Sequence, residues 1–358
     1  MKLSDLLRGV AIERVVDGPQ PTGQAPAGSG PTLPDRPGSL EAIDVAQVCE
    51  DSRQLRAGDL FVAVPGRTVD GHRFLADARI AGAAAAVVAQ PHGGLGLVQL
   101  VVRDPALALA QIAANYYGHP ADSLMLVGIT GTNGKTTTNF LIESLLQRAG
   151  HRTGLLGTVQ YHFGEQTLPA PLTTPGPLLL HRLLRQMRDA GVSAATLEAS
   201  SHALTLGRLL GLRFRVAAFT NLTQDHLDFH GTMESYLQAK AVLFRDHLLP
   251  ASDGGTGVVC IDSEYGARMA QLVAPARLLT VSLRGEADIT ASAVELSIQG
   301  IGATLRTPVG EVQLRSPLSG RFNLENLAVA TGVGVALGLS AADIGQALVV
   351  RDRAKHDS

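Results

Sequence analysis

Residues 124–150, LMLVGITGTNGKTTTNFLIESLLQRAG, constrain the fold more than any other stretch of the chain. The apolar run LMLVGIT reads as a buried strand, and the helix KTTTNFLIESLLQRAG follows, with Gly150 as its C-terminal cap. Between them lies a turn with glycines at 128, 131 and 134. A strand feeding a glycine-rich turn that opens a helix aims backbone N–H groups at a phosphate chain, helped by the helix dipole. Gly134-Lys135-Thr136 matches the end of the ordinary phosphate-loop template, but that template needs another glycine five positions before Gly134, where Ile129 stands. A glycine-rich turn by itself is usually only a turn. This one carries Lys135 for the outer phosphates and a Thr136 hydroxyl for Mg²⁺, so a nucleoside triphosphate is the expected ligand.

The flanking pattern alternates strands and helices. DLFVAVPG, the end of GHRFLADARIAGAAAAVVAQ, GLVQLVV, VSAATLEAS and FRVAAFTNL read as strands, while PALALAQIAANYYGHPADSL and HRLLRQMRDAG read as helices. The expected fold class is α/β: an N-terminal α/β domain over 1–119, then a central P-loop-type ATPase domain over 120–350. The sheet of the latter should be mostly parallel and flanked by helices. Residues 287–320 alternate apolar and polar residues between glycine turns, which predicts antiparallel strands added to that sheet. Residues 17–40 are rich in Pro, Gly and Ser and should form a flexible surface loop.

Composition narrows the function classes. Of 358 residues, 45% are hydrophobic and 17% charged, enough apolar content for two or three cores. Thirty basic and 32 acidic side chains leave a net charge of −2, so neither nucleic acid nor a membrane surface is an expected partner. Cys49 and Cys260 lie far apart without a CxxC pattern, which favours a reducing compartment. The N-terminal MKLSDLLRGVAIERVV carries charges within its apolar stretch and is not a signal peptide. LAVATGVGVALGLSAA (327–342) is short and broken by small residues, and so reads as a buried helix instead of a membrane span. The expected location is cytoplasmic.

Three further clusters carry chemistry. NLTQDHLDFHG (221–231) packs Asp225, His226, Asp228 and His230 into six positions past a strand end. The two histidines have zinc-protease spacing, but Leu227 follows the first where that motif needs Glu. A polar, helix-capping loop is the bland reading; a Mg²⁺-linked role gains weight because ligands of such sheets sit at strand C-termini. In LEASSHAL (197–204), Glu198 ends a buried run, and a buried lone carboxylate is costly unless it meets a cation. Ser200-Ser201-His202 lacks the GxSxG elbow of a hydrolase, so substrate or phosphate positioning fits better. Lys240, within the largely apolar YLQAKAVLF, reads on its own as a snorkelling surface lysine.

Taken together, GITGTNGKTTT, LEASSHAL, FTNLTQDHLDFHGTMESYLQAKAVLF and GRFNLENLAVA resemble the ATP-dependent Mur ligases of peptidoglycan synthesis, whose loop has this glycine spacing. EDSRQLRAGDLFVAVPGRTVDGHRFLADA (50–78) and LTTPGP (172–177) are similar to the MurE branch, which adds the third amino acid of the stem peptide. The resemblance implies ATP and Mg²⁺ as cofactors, with UDP-MurNAc-L-Ala-D-Glu and an amino acid (meso-diaminopimelate or L-lysine) as partners. It implies ATP contacts at Gly131, Thr132, Asn133, Gly134, Lys135, Thr136, Thr137, Asn323 and Asn326. Ser52 and His72 would cradle the uridine nucleotide, Thr173 and Thr174 the muramoyl-dipeptide, and Ser200 and Arg208 further parts of the substrate. Thr136 and Glu198 would hold one Mg²⁺. Lys240 resembles the lysine that the family carbamylates, and with His226 it would support a second metal ion. Lys135, Glu198, His226 and Lys240 are thus the implied catalytic set.

The chain also departs from the pattern. The family continues into a C-terminal ligase domain that binds the incoming amino acid, whereas here LGLSAADIGQALVV is followed by RDRAKHDS, a tail (351–358) unlike the family. Cys260 and Ser263 stand where Asn and Asp are usual. Two readings follow: an amide-forming ligase of this family, or a truncated protein that binds UDP-MurNAc-peptide and ATP without catalysis. The related folylpolyglutamate synthases share the central domain but lack the N-terminal DSR…GDLFVA segment.

Overall fold

A computed structural model describes residues 1–16, 38–66, 69–273 and 277–349. Most of the 17–40 segment and the 351–358 tail lie outside the described residues. The chain forms two compact units. The first comprises residues 1–120 with 177–182 and 206–211; the second comprises 121–176, 183–205 and 212 onward.

In the first unit, β1 (Ile12–Val16), β2 (Val48–Cys49), β3 (Leu60–Val62), β4 (Ala85–Val88) and β5 (Gln99–Val102) form one sheet in the order β1-β5-β4-β3-β2. All neighbours run parallel except β1, which pairs antiparallel with β5. The central strands are buried on both faces, as their unbroken apolar sequence requires. The helix Pro105–Tyr117 covers one face, with Pro at its first turn, Asp104 capping the Ala106 and Leu107 N–H groups, and Gly118 in the left-handed conformation at its end. Leu109 and Ile112 of this helix join Leu60, Val87 and Leu100 in the core.

The second unit is built on an eleven-stranded sheet. Its strands are β6 (Met125–Thr130), β7 (Thr153–Leu156), β8 (Gln160–Phe163), β9 (Gln166–Pro169), β10 (Ala194–Glu198), β11 (Val216–Phe219), β12 (Thr256–Cys260), β13 (Arg277–Ser282), β14 (Ile289–Ser297), β15 (Gly300–Thr307) and β16 (Gly310–Ser316). The order is β16-β15-β14-β13-β12-β11-β6-β10-β7-β8-β9. Strands β7 through β14 of that order are parallel, and antiparallel hairpins extend both edges. The α/β class, the parallel sheet and the antiparallel run after residue 287 are as the sequence predicts.

The helix Lys135–Arg148 starts at Gly134 and packs Leu141, Ile142, Leu145 and Leu146 into the core with the helix Arg321–Ala336. That second helix is buried along nearly its whole length, in keeping with its apolar sequence. Among the described residues, no helix is long and apolar enough to cross a membrane. Placing β6 between β10 and β11 is what builds the site, because three strand ends then open at one rim. Glu198, the last residue of β10, lies level with Ile129, and Phe219, the last of β11, lies level with Thr130.

Candidate active site

The loop 131–134 leaves β6 and is tied to the segment that follows β11. The Thr132 N–H donates to the Asn221 carbonyl (2.9 Å) and the Asn133 N–H to Asn221 Oδ1 (3.0 Å). The Thr220 hydroxyl donates to the Asn133 carbonyl at 2.7 Å, and the Thr223 N–H donates to Thr132 Oγ1 at 3.0 Å. Held on this side, the loop turns through Gly134, whose φ is +83°. A Cβ there would stand 2.1 Å from Asn326 Oδ1, so only glycine fits both the backbone and the space. Asn326 is buried behind the loop, and its Nδ2 donates to Asn323 Oδ1 (3.2 Å).

Lys135 opens the helix with Nζ folded back onto the Gly131 (3.0 Å) and Thr132 (2.8 Å) carbonyls. Burial lowers its pKa, while the charges of Glu198 and Asp225 work in the opposite direction. Thr136 and Thr137 are half-buried in the first helical turn.

Lys240 is no surface lysine. It is 1% exposed, its Nζ donates to the Gly131 carbonyl at 2.7 Å, and it lies 4.3 Å from the centre of the Tyr236 ring. Burial, then the charge of Lys135, push its pKa well below the ordinary lysine value. The physical reason for overriding the snorkelling reading is the helix position: Lys240 shares the buried face of Met233–Val242 with Tyr236 and Leu237.

Glu198 is also 1% exposed, and its carboxylate is held by Thr158, with the N–H on Oε1 at 2.9 Å and the hydroxyl by Oε2 at 3.0 Å. Thr174 is buried beside it; its hydroxyl donates to the Glu198 carbonyl (2.7 Å) and its oxygen accepts the Ser200 N–H (3.1 Å). Thr173, Thr174 and Ser200 are therefore gathered around Glu198. His226 is exposed, with Nε2 3.4 Å from Asp225 Oδ2 and its ring 5.0 Å from that of His202. His230 stacks on Tyr236 with ring centres 4.8 Å apart and meets the Ser201 hydroxyl at 2.9 Å.

Ser52, His72 and Arg208 lie in the first unit. His72 uses both ring nitrogens internally: Nδ1 donates to Asp70 Oδ1 (2.7 Å) and Nε2 accepts from the Ala89 N–H (2.9 Å). Ser52 begins a short helical turn capped by Asp51, and the charge of Arg208 acts on Glu50. Thr158 and Tyr236 escaped the sequence reading. Thr158 belongs to an unremarkable Gly157-Thr158 pair, and only the corner after β7 brings it to Glu198.

Glu198 is a buried carboxylate with neutral donors only, a poor resting state for an anion and a good one for a cation ligand. Among the described residues, no group of three or more His, Cys, Asp or Glu side chains could hold a metal ion alone. One such carboxylate suits Mg²⁺ that would complete its shell with phosphate oxygens and water.

Residues 129–334 match the family model described as the Mur ligase middle domain, and residues 44–117 match Mur ligase family, catalytic domain. The chain belongs to the Mur ligase family. Within the family it is similar to UDP-N-acetylmuramoyl-L-alanyl-D-glutamate–2,6-diaminopimelate ligases. It shares 45% identity with that of Geobacter metallireducens, over 86% of this chain and 60% of the relative, and 41% with that of Bacillus velezensis, over 83% and 60%. A solved structure of a ligase of that name has a TM-score of 0.73 at 28% identity, covering 85% of this chain and 62% of that one. MurF from Thermotoga maritima in complex with ADP shares the fold, with a TM-score of 0.59 at 21% identity over 85% and 66% of the two chains. The chain spans about three-fifths of the length of the curated relatives it matches.

Proposed function

We propose that the chain carries the nucleotide-activating and UDP-substrate-binding parts of a ligase that adds diaminopimelate to UDP-MurNAc-L-Ala-D-Glu at the expense of ATP. The observation that carries this reading is the meeting of two lysines, Lys135 and Lys240, at the Gly131 carbonyl of the loop, with buried Glu198 one strand away.

A carboxylate does not acylate an amine at neutral pH; phosphoryl transfer from ATP makes it an acyl phosphate, which the amine then attacks. Bringing a carboxylate up to a polyphosphate costs Coulomb repulsion, and Mg²⁺ supplies charge that offsets it. Lys135 would leave its two carbonyls and span to the outer phosphates, while the N–H groups at the start of the helix Lys135–Arg148 would cradle the inner ones, those of Thr132 and Asn133 being held by Asn221. Glu198 and Thr136 would hold the metal ion. Lys240, buried and with its pKa held well below the ordinary lysine value, is the amine that would take up carbon dioxide with release of a proton to become a carbamate, and with His226 it would support a second Mg²⁺. Asn323 and Asn326 back the adenine side. Thr173, Thr174 and Ser200 hold the dipeptide near Glu198. In the first unit, Ser52 and Arg208 meet the UDP-sugar portion, and His72 acts by tying the turn at Asp70 to the Ala89 N–H just past β4. No side chain is needed as a covalent nucleophile.

Isothermal titration of the purified chain tests this. UDP-MurNAc-L-Ala-D-Glu and Mg²⁺–AMPPNP should each bind at one site per chain, and UDP-glucose should bind far more weakly than the former. A chain that takes up neither ligand would overturn the reading.

A further inference from the structure

Thr158 holds Glu198 with two donors at once, and its hydroxyl oxygen also lies 3.1 Å from that of Thr173. A hydroxyl has one proton and two lone pairs. The carboxylate is the stronger acceptor, so it takes the Thr158 proton. The Thr173 O–H must then donate to Thr158, which leaves only lone pairs of Thr173 for a ligand. The three groups form a one-way chain, Thr173 to Thr158 to Glu198.

The neighbourhood is built to keep this chain short. Gly157 has no room for a side chain, because a Cβ there would stand 2.4 Å from Glu198 Oε1. The Tyr161 hydroxyl donates to the Leu172 carbonyl, and Thr174 donates to the Glu198 backbone, so residues 172–174 are pinned on both sides of Thr173.

We propose that Thr158 is a positioning residue that couples the metal–nucleotide end of the site to the substrate-holding segment 172–174. The proposal rests on the ligase reading above. When Glu198 gives its lone pairs to a cation, its hold on the Thr158 proton weakens. Thr158 then turns that proton to Thr173, and Thr173 turns its own outward. Its ligand-facing edge changes from acceptor to donor, which suits a substrate carboxylate or carbonyl. By linkage, each ligand tightens the other.

The test is the affinity for UDP-MurNAc-L-Ala-D-Glu measured with and without saturating Mg²⁺–AMPPNP. In the wild-type chain the nucleotide should tighten the substrate by about fivefold or more, the low end of ordinary coupling. Thr158→Val should bring that ratio close to one, whatever its own affinity for Mg²⁺–AMPPNP alone. Thr158→Ser, which keeps the hydroxyl, should restore the ratio. Thr173→Val, which leaves the Thr158 hold on Glu198 in place, should also abolish it, and this covers the case of a Thr158→Val chain that does not fold. A wild-type ratio near one, a ratio that survives loss of either hydroxyl, or a serine variant that behaves like valine overturns the coupling. Failure of the wild type to bind either ligand instead strikes the ligase reading.

Discussion

Lys135 and Lys240 donate to one and the same oxygen, the Gly131 carbonyl, at 3.0 and 2.7 Å. Two positive charges crowd that one carbonyl, and the charge of the more buried lysine is the more strongly disfavoured. Burial first and the Lys135 charge second hold Lys240 well below its ordinary pKa of 10.5.

Lys240 therefore costs the ligand-free fold stability. Its folded pKa is below its unfolded one, so between the two the unfolded chain binds more protons. The cost is complete below the folded pKa and disappears as pH rises toward 10.5. Lys240→Met, which keeps the volume and removes the amine, should stabilise the ligand-free chain at pH 7 by about 1–3 kcal/mol. It should also flatten the rise in stability on the alkaline side. Urea denaturation at several pH values measures both, and a variant less stable than wild type at pH 7 contradicts the account.

An uncharged amine is the form that adds carbon dioxide. With ¹³C-bicarbonate, the wild-type chain should show a carbamate carbon resonance that decays on acidification. Lys240→Met should lack it, whereas Lys135→Met should retain it. Retention of the signal in the Lys240 variant would assign the carbamate elsewhere.

Gly134→Ala combines a left-handed backbone, a cost of roughly 1–2 kcal/mol for a residue with a Cβ, with a collision against Asn326. Thermal denaturation should show the loss of stability, and titration should show Mg²⁺–AMPPNP affinity falling by at least about tenfold. Adding Asn326→Ala removes the collision but not the backbone cost, so it should recover part of the stability and little of the affinity.

His181, 1% exposed in the first unit, gives an acid-side prediction. Burial, aided by the charge of His119 and opposed by the Leu210 carbonyl, pushes its pKa down from 6.5 to about 4, and neither ring nitrogen makes a full hydrogen bond. The unfolded chain binds the extra proton between these values, so stability falls as pH drops from 6.5 toward 4. The full effect is roughly 3 kcal/mol. His181→Leu should remove most of this slope without destabilising the chain at pH 7, as denaturation at pH 7, 6, 5 and 4.5 would reveal. An unchanged slope would place the acid sensitivity in other groups.

The parts of the fold that were legible in the sequence are those specified locally. LMLVGIT followed by glycines and a capped helix can be little else than a strand, a turn and a helix. The parallel sheet follows from repeating that alternation. What stayed hidden depends on which strands become neighbours. Thr158 looks ordinary until β7 pairs with β10 and sets the corner after it against Glu198. Residues 177–182 and 206–211 lie far along the chain yet pack with the first unit, since Leu178 joins that unit's core. His72 offered a ring to a ligand on paper, but a two-residue Asp70 turn and the Ala89 amide claim both nitrogens. Lys240 showed the reverse: its apolar neighbours along the sequence marked a buried helix face, yet taken alone they suggested a snorkelling stem.

Asn326, buried behind Gly134, has a consequence for synthesis of the chain. The glycine turn leaves the ribosome early, but the side chain that backs it is made almost two hundred residues later. A nascent chain stalled before the helix Arg321–Ala336 has the phosphate-contacting residues without the wall that shapes them. Nucleotide capture during translation should therefore begin only once that helix has emerged, so its onset on stalled ribosomes of increasing length times the closing of the fold.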